Sequence, residues 1–472
     1  MSSWKVSWGL TRACIAEEHT GKKEIEIVKN TSAPLSRRDV LVGGATLALA
    51  ASLPGLGYGA GKTSAFPAGF LWGAASAGHQ IEGNNSDADV WLLEQVTPTV
   101  FAERSGDACD SLFRWNEDVD LVKGMGLNTY RFSLEWARIE PTEGQFSVAM
   151  LDLYKRMMGS CLERGITPMV TFNHFTTPRW FAARGGWEAD GAPDLFARFC
   201  ERAATHLGSH LSYATTLNEP NILAILDWLP LPFPPAFKAV EAQMLQAAAR
   251  ATGSANYSVA NFGQYQPKLK RMLEGHRKGY QAIKSAAPQA WVGVSLSITD
   301  DQAVGPDSQR DAKRESVYGP WMEAAKTSAD FIGVQNYGRQ QVNAQGAMLP
   351  PKGAELTDSG EEYYPASLEG AVRYAHQATG KPVIVTENGI NTANDSRRQA
   401  YIPEALAGLQ RAMHDGVPVL GYVHWSLLDN FEWLFGYKPK FGLVAVDRAT
   451  FKREMKGSAR VLGAIAQRNG LA

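Results

Sequence analysis

The chain has 472 residues, 44% of them hydrophobic and 20% charged, ordinary values for a globular protein with a sizeable core. Lys+Arg 47 against Asp+Glu 48 leaves a net charge of −1, which removes the electrostatic reason to expect nucleic acid or an acidic membrane as a partner. Four cysteines (Cys14, Cys109, Cys161 and Cys200) are too few and too scattered for a disulfide scaffold or a zinc cluster. No P-loop, strand-linked GxGxxG or paired CxxC is present, so neither a cofactor nor a metal is expected.

In the N-terminal region, Ser36-Arg37-Arg38-Asp39-Val40-Leu41 leads into an apolar, Gly/Ala-rich stretch over 40–53. The stretch is too short to span a membrane and carries basic residues on its N-terminal side. It resembles a twin-arginine export signal, whose paired arginines are read by the translocase. Small-x-small cleavage points occur at Gly57-Tyr58-Gly59 and Thr63-Ser64-Ala65. Residues 1–65 are therefore expected to be an N-terminal extension carrying a signal peptide, and 66–472 the folded domain. The resemblance implies a periplasmic or extracellular destination without stable membrane association.

From residue 66 onward, β-rich apolar runs alternate with longer helical patterns. Runs at 69–75, 127–134, 166–173, 212–217, 291–297, 331–337, 382–386 and 418–425 predict eight strands. Most are continuously apolar, as strands buried on both faces are. Helical spacing falls between them at 150–164, 192–207, 268–286, 367–379 and 398–415, where Cys161 and Cys200 read as core thiols. Strands and helices in this alternation predict an α/β fold, a single (β/α)8 TIM barrel. An open doubly wound sheet fits less well, because the phosphate-binding glycine turn is absent. The connections 84–108, 227–267 and 298–328 are expected to be long loops at the C-terminal face of the strands, where barrel sites are built.

The predicted strand ends share a chemistry. His79-Gln80-Ile81-Glu82-Gly83 follows strand one, Arg131 lies on strand two before Glu135-Trp136, and Asn173-His174-Phe175 ends strand three. Asn218-Glu219 ends strand four, Gln335-Asn336-Tyr337 strand six and Glu387-Asn388 strand seven. Strand eight gives His424-Trp425, then Asp429-Asn430-Phe431-Glu432-Trp433. Amides and carboxylates suit hydroxyl groups, and indole faces suit the C–H surface of a sugar ring. Two carboxyl groups at different strand ends are also the minimum equipment for double-displacement glycoside hydrolysis.

Several motifs occur in order over most of the chain: Phe70-Leu71-Trp72-Gly73-Ala74-Ala75, Gln80-Ile81-Glu82-Gly83, Tyr130-Arg131-Phe132-Ser133, Thr216-Leu217-Asn218-Glu219-Pro220 and Val385-Thr386-Glu387-Asn388-Gly389. Trp425-Ser426-Leu427-Leu428-Asp429-Asn430-Phe431-Glu432-Trp433 and Phe441-Gly442-Leu443-Val444, with Val446-Asp447, complete the set. With these, the segment from about 66 to 467 resembles family 1 glycoside hydrolases, the β-glucosidase family.

The resemblance implies a retaining exo-β-glycosidase, most simply a β-glucosidase, in which Glu387 is the nucleophile and Glu219 the general acid and then base. Arg131 and Tyr337 would support Glu387, and Asn218 would contact the sugar 2-OH. Gln80, His174, Glu432 and Trp433 match positions that bind the other hydroxyls, with Trp425 as stacking floor. Glu432 points to an unphosphorylated β-glycoside or oligosaccharide, since a carboxylate repels phosphate. The set suits several epimers, glucose, galactose, fucose and mannose among them. A transglycosidase would share the first half-reaction, and a non-catalytic carbohydrate-binding barrel would lack the need for the glutamate pair. Three positions depart from the family pattern: Asn221 and Phe175 stand where tryptophan is commoner, and Gln335 where asparagine is usual.

Overall fold

The computed structural model describes residues 65–471. The arginine pair and the apolar stretch after it lie outside the described residues, as do both cleavage points apart from Ala65. Eight strands form where the apolar runs predict them: β1 (Leu71–Ala75), β2 (Thr129–Ser133), β3 (Thr167–Asn173), β4 (Tyr213–Asn218), β5 (Trp291–Ser297), β6 (Phe331–Asn336), β7 (Val383–Asn388) and β8 (Val419–Trp425). Each pairs in parallel with its sequence neighbours, and β1 pairs with β8 to close the barrel.

Adjacent residues on a strand face opposite sides, and two apolar layers follow. Leu71, Met169, Phe331, Ile384 and Val423 pack together inside the barrel. Their neighbours Trp72, Val170, Ile332, Val385 and Tyr422 pack outward, in the core between sheet and helices. That outer core includes Cys161 and Cys200, both fully buried. Helices Ala192–Leu207 and Gln266–Ala286 approach closely because Gly275 and Gly279 face Trp187 and Phe196, where a Cβ would come within 2.7 and 2.9 Å of the rings.

The three long connections are not structureless. The first holds a helix, Asp89–Gln95, and the second an 18-residue helix, Pro235–Thr252. The third holds a short strand, Asp300–Ala303, and helices Arg310–Val317 and Gly319–Ser328. The prolines around 230–235 read as loop in the sequence, yet Pro235 opens its helix, where the missing N–H has no intrahelical partner to lose.

Two strands break register just before the residues of interest. The β4–β5 pairing shifts between Thr215 and Asn218, and the β6–β7 pairing between Val385 and Glu387. Strict alternation from Ile384 inward and Val385 outward would turn Glu387 outward. On β4, Thr216 reaches His276 on the flanking helix and Leu217 also joins the outer core, so Asn218 faces inward. An extra residue in one strand re-aims the side chains beyond it. Both shifts turn site residues into the barrel mouth.

Candidate active site

Arg131 enters the mouth from β2, fully buried. A buried guanidinium needs charge and hydrogen-bond partners, and it finds them on two other strands. It donates to Glu387 Oε1 at 2.5 Å and to Asn218 Oδ1 at 2.6 Å. Gln335, at the end of β6, donates from Nε2 to the same two oxygens, at 2.8 and 2.7 Å. The Tyr337 hydroxyl donates to Glu387 Oε2 at 2.5 Å. Glu387 therefore accepts from three side chains. Behind it, a Cβ on Gly389 would collide with the Trp425 carbonyl, so the chain turns there only with glycine.

Glu219 lies one residue beyond β4, with its amide bonded to the Ser295 carbonyl at 2.8 Å and a left-handed backbone, φ +42°. For a residue with a Cβ that conformation costs about 1–2 kcal/mol. Phe175 and Trp433, also at this mouth, share it with φ of +67° and +51°. Such strain collects at functional sites. Asn221 clamps the neighbouring strand end, its Nδ2 donating to the Ser297 carbonyl at 2.8 Å and its Oδ1 accepting from the Ser297 amide at 3.2 Å. It is fully buried, so it holds β5 and presents no face to solvent.

The two glutamates have different electrostatics. Burial pushes the Glu219 carboxyl up, and the charge of Glu387 pushes it further, to about 8, against a hydrogen bond from Ser297 and the charge of Arg131. Burial pushes Glu387 above its ordinary value too, but Arg131 and the Tyr337 hydroxyl oppose the shift. Glu219 thus holds a proton at neutral pH, and the charge sits on Glu387 beside its cation.

A second wall of the mouth is made by Gln80, His174, Glu432, Trp425 and Trp433. Gln80 Nε2 is committed to Asn430 Oδ1 at 3.0 Å and to the Phe431 carbonyl at 2.8 Å. His174 Nε2 faces Asn218 Nδ2 at 3.2 Å. Gln80 Oε1, His174 Nδ1 and Glu432 Oε1 are buried with no hydrogen-bond partner in the protein. Buried polar groups are normally paired, so these atoms are available to a hydroxylated ligand. Burial holds His174 well below its ordinary range, helped by the Arg131 charge, and the ring stays neutral. Burial likewise pushes Glu432 up to about 8, against hydrogen bonding with Trp425 and Gln80. The His174 ring lies near parallel to Trp425 at 5.6 Å and to Trp433 at 6.3 Å.

All ten residues singled out in the sequence therefore gather at one end of the barrel. Sequence reasoning missed four contributors: Gln335 as a bridge, Asn221 as a clamp, Ser297 beside Glu219, and the buried residues around His79. Gln335 and Asn221 were visible as departures from the family pattern, but a departure alone does not reveal a contact.

The Glycosyl hydrolase family 1 model matches residues 62–337 and 263–471. Beta-glycosidase BGL167 is 44% identical with a TM-score of 0.81, over 86% of this chain and 98% of that one. The apo structure of a beta-glucosidase designated 1317 is 41% identical with a TM-score of 0.81, over 84% of this chain and 98% of that one. Beta-glucosidase A of Thermotoga maritima is 30% identical over 446 residues, 86% of this chain and 98% of its own length. With its closed barrel and the glutamates at its mouth, the chain belongs to glycosyl hydrolase family 1 and is a glycoside hydrolase.

Proposed function

We propose that the chain is a retaining exo-β-glycosidase with β-glucosidase activity on unphosphorylated β-glycosides. The observation that carries this reading is the asymmetry of the glutamate pair: one carboxyl clasped by Arg131, Gln335 and Tyr337, the other buried and pushed up to about 8. Glu387, charged and fixed, attacks the anomeric carbon. Glu219 gives its proton to the departing oxygen. Once Glu387 is esterified its charge is gone, the push on Glu219 falls, and Glu219 takes a proton from the incoming water. Asn218 donates to the sugar 2-OH, while Gln80, His174 and Glu432 take the remaining hydroxyls through their unpartnered atoms. Trp425 and Trp433 offer ring faces to the sugar. The names of the relatives described above support β-glucoside as the substrate class.

The experiment is nucleophile removal with rescue. Glu387→Gly should lower turnover of an aryl β-glucoside by about 10⁴-fold or more, and added azide should restore it as the α-glycosyl azide. Unchanged turnover sinks the assignment, and a β-azide from this variant shows that the two roles are exchanged. Products formed with and without an alcohol acceptor tell hydrolysis from transglycosylation. We also propose export by the twin-arginine route, on the strength of Arg37-Arg38 and the apolar stretch after them. An Arg37→Lys/Arg38→Lys variant retained in the cytoplasm supports that reading, and unaltered export overturns it.

A further inference from the structure

Beneath the wall formed by Gln80, His174 and Trp433 lies a set of buried ionisable groups that the reaction does not use. Glu135, just past β2, is fully enclosed yet accepts four hydrogen bonds. Its Oε1 takes the His79 amide at 3.0 Å and the Ser133 hydroxyl at 3.2 Å. Its Oε2 takes Asn85 Nδ2 at 2.7 Å and the Thr176 hydroxyl at 2.8 Å. Three strand-end segments thus converge on one carboxylate. The first bond fixes the residue before Gln80, and the last fixes the residue two beyond His174.

His79 extends the set toward the indole. Its Nε2 meets Glu94 Oε1 at 2.9 Å with both side chains fully buried, and Glu94 Oε2 is held by the Ser105 amide and hydroxyl at 2.8 and 2.7 Å. The imidazole lies near parallel to Trp433, at 5.7 Å and 7°. Burial disfavours a charged His79, but the hydrogen bond and charge of Glu94, with the charges of Glu135 and Asp89, more than offset it. The near-parallel stacking of the imidazole on the indole holds the plane of Trp433 from below. Trp433 has a left-handed backbone, so it needs such outside support.

A purely structural polar cluster needs no particular place, and burying several carboxylates is a poor way to gain stability. We propose that Glu135 and the His79–Glu94 pair are positioning residues: they set the Gln80 amide, the His174 ring and the Trp433 plane for sugar hydroxyls without touching the sugar. The inference rests on the reading of those three residues as the sugar-binding wall.

The test is Glu135→Gln, which keeps shape but puts an amide donor where two donors already point. It is measured with aryl β-glucoside and β-galactoside, active sites being counted by pre-steady-state burst. KM for the glucoside should rise by about tenfold, as expected for one or two lost hydrogen bonds. kcat per active site should change by less than about threefold, and the glucoside-to-galactoside ratio of kcat/KM should shift. Glu94→Gln should act in the same direction more weakly, and serves if Glu135→Gln does not fold. If both variants lose only melting temperature and active fraction, with KM and the epimer ratio unchanged, the positioning role is overturned. A wild-type enzyme inert on every aryl β-glycoside would instead overturn the reading of the site itself.

Discussion

Gln335 and Asn218 are joined by a hydrogen bond of 2.7 Å that decides which end of the Asn218 amide faces the cavity. Arg131 donates to the same Oδ1, so the carbonyl end is occupied by two donors and Nδ2 is the end left to face His174 and a substrate. In the proposed function Asn218 thereby meets the sugar as a donor. Since Gln335 also donates to the Glu387 carboxylate, Gln335→Leu should lower kcat/KM on an aryl β-glucoside by about 10–100-fold, the worth of a hydrogen bond to a charged group. Gln335→Asn, one methylene shorter, should fall between the two, because its amide cannot span both oxygens from the same backbone position. Steady-state kinetics with circular dichroism as a folding control checks both.

The proton on Glu219 sets a pH limit. In the proposed mechanism Glu219 must be protonated in the first step, and its carboxyl is pushed up to about 8, so kcat/KM should hold through neutral pH and fall as pH rises through about 8. Part of that elevation comes from the Glu387 charge. In Glu387→Gln the Glu219 resonance, followed by carbon-13 NMR, should titrate at lower pH than in the wild type.

The same shift predicts that the residue costs stability. A carboxyl whose folded pKa is about 8 against an ordinary 4.5 favours folding in its neutral form. Its contribution is full below about pH 4.5 and is lost as pH rises toward 8. Glu219→Gln, neutral throughout, should therefore be more stable than the wild type above pH 5. The gain should widen up to pH 8 and remain below about 5 kcal/mol. Melting temperatures across this range decide the matter; a constant difference with pH would contradict it.

Asn221 is expected to matter through β5 and not through solvent. Asn221→Ala leaves the Ser297 amide and carbonyl without their side-chain partner, a loss of about 1–3 kcal/mol in a buried setting. Ser297 also hydrogen-bonds Glu219, so the alkaline limit of kcat/KM should rise slightly as that bond loosens. Denaturant unfolding and a pH–rate profile measure the two effects.

The barrel was legible because its strands are apolar on both faces and short, and each predicted run lies within two residues of a strand. The helices inside the long connections were not, because Pro230 to Pro235 reads as a breaker until its position at a helix start is known. The site was legible by motif and not by periodicity. Counting alternately from Ile384 sends Glu387 to the helix side, and only the register shift corrects it. The His79–Glu94–Glu135 set could not be read from sequence, since its members come from separate segments and share only a place in space.

A register shift also makes strand pairing as consequential as chemistry. Were Thr386 to join the ladder opposite Gln335, alternation from Ile384 would carry Glu387 to the helix side and away from Arg131, with no residue of the chain changed. Such a chain would keep its barrel and an intact motif list and lose the clasp on Glu387. Changes that erase the extra residue's bulge in β4 or β7 while keeping strand length are the ones by which such a barrel can become a silent carbohydrate binder.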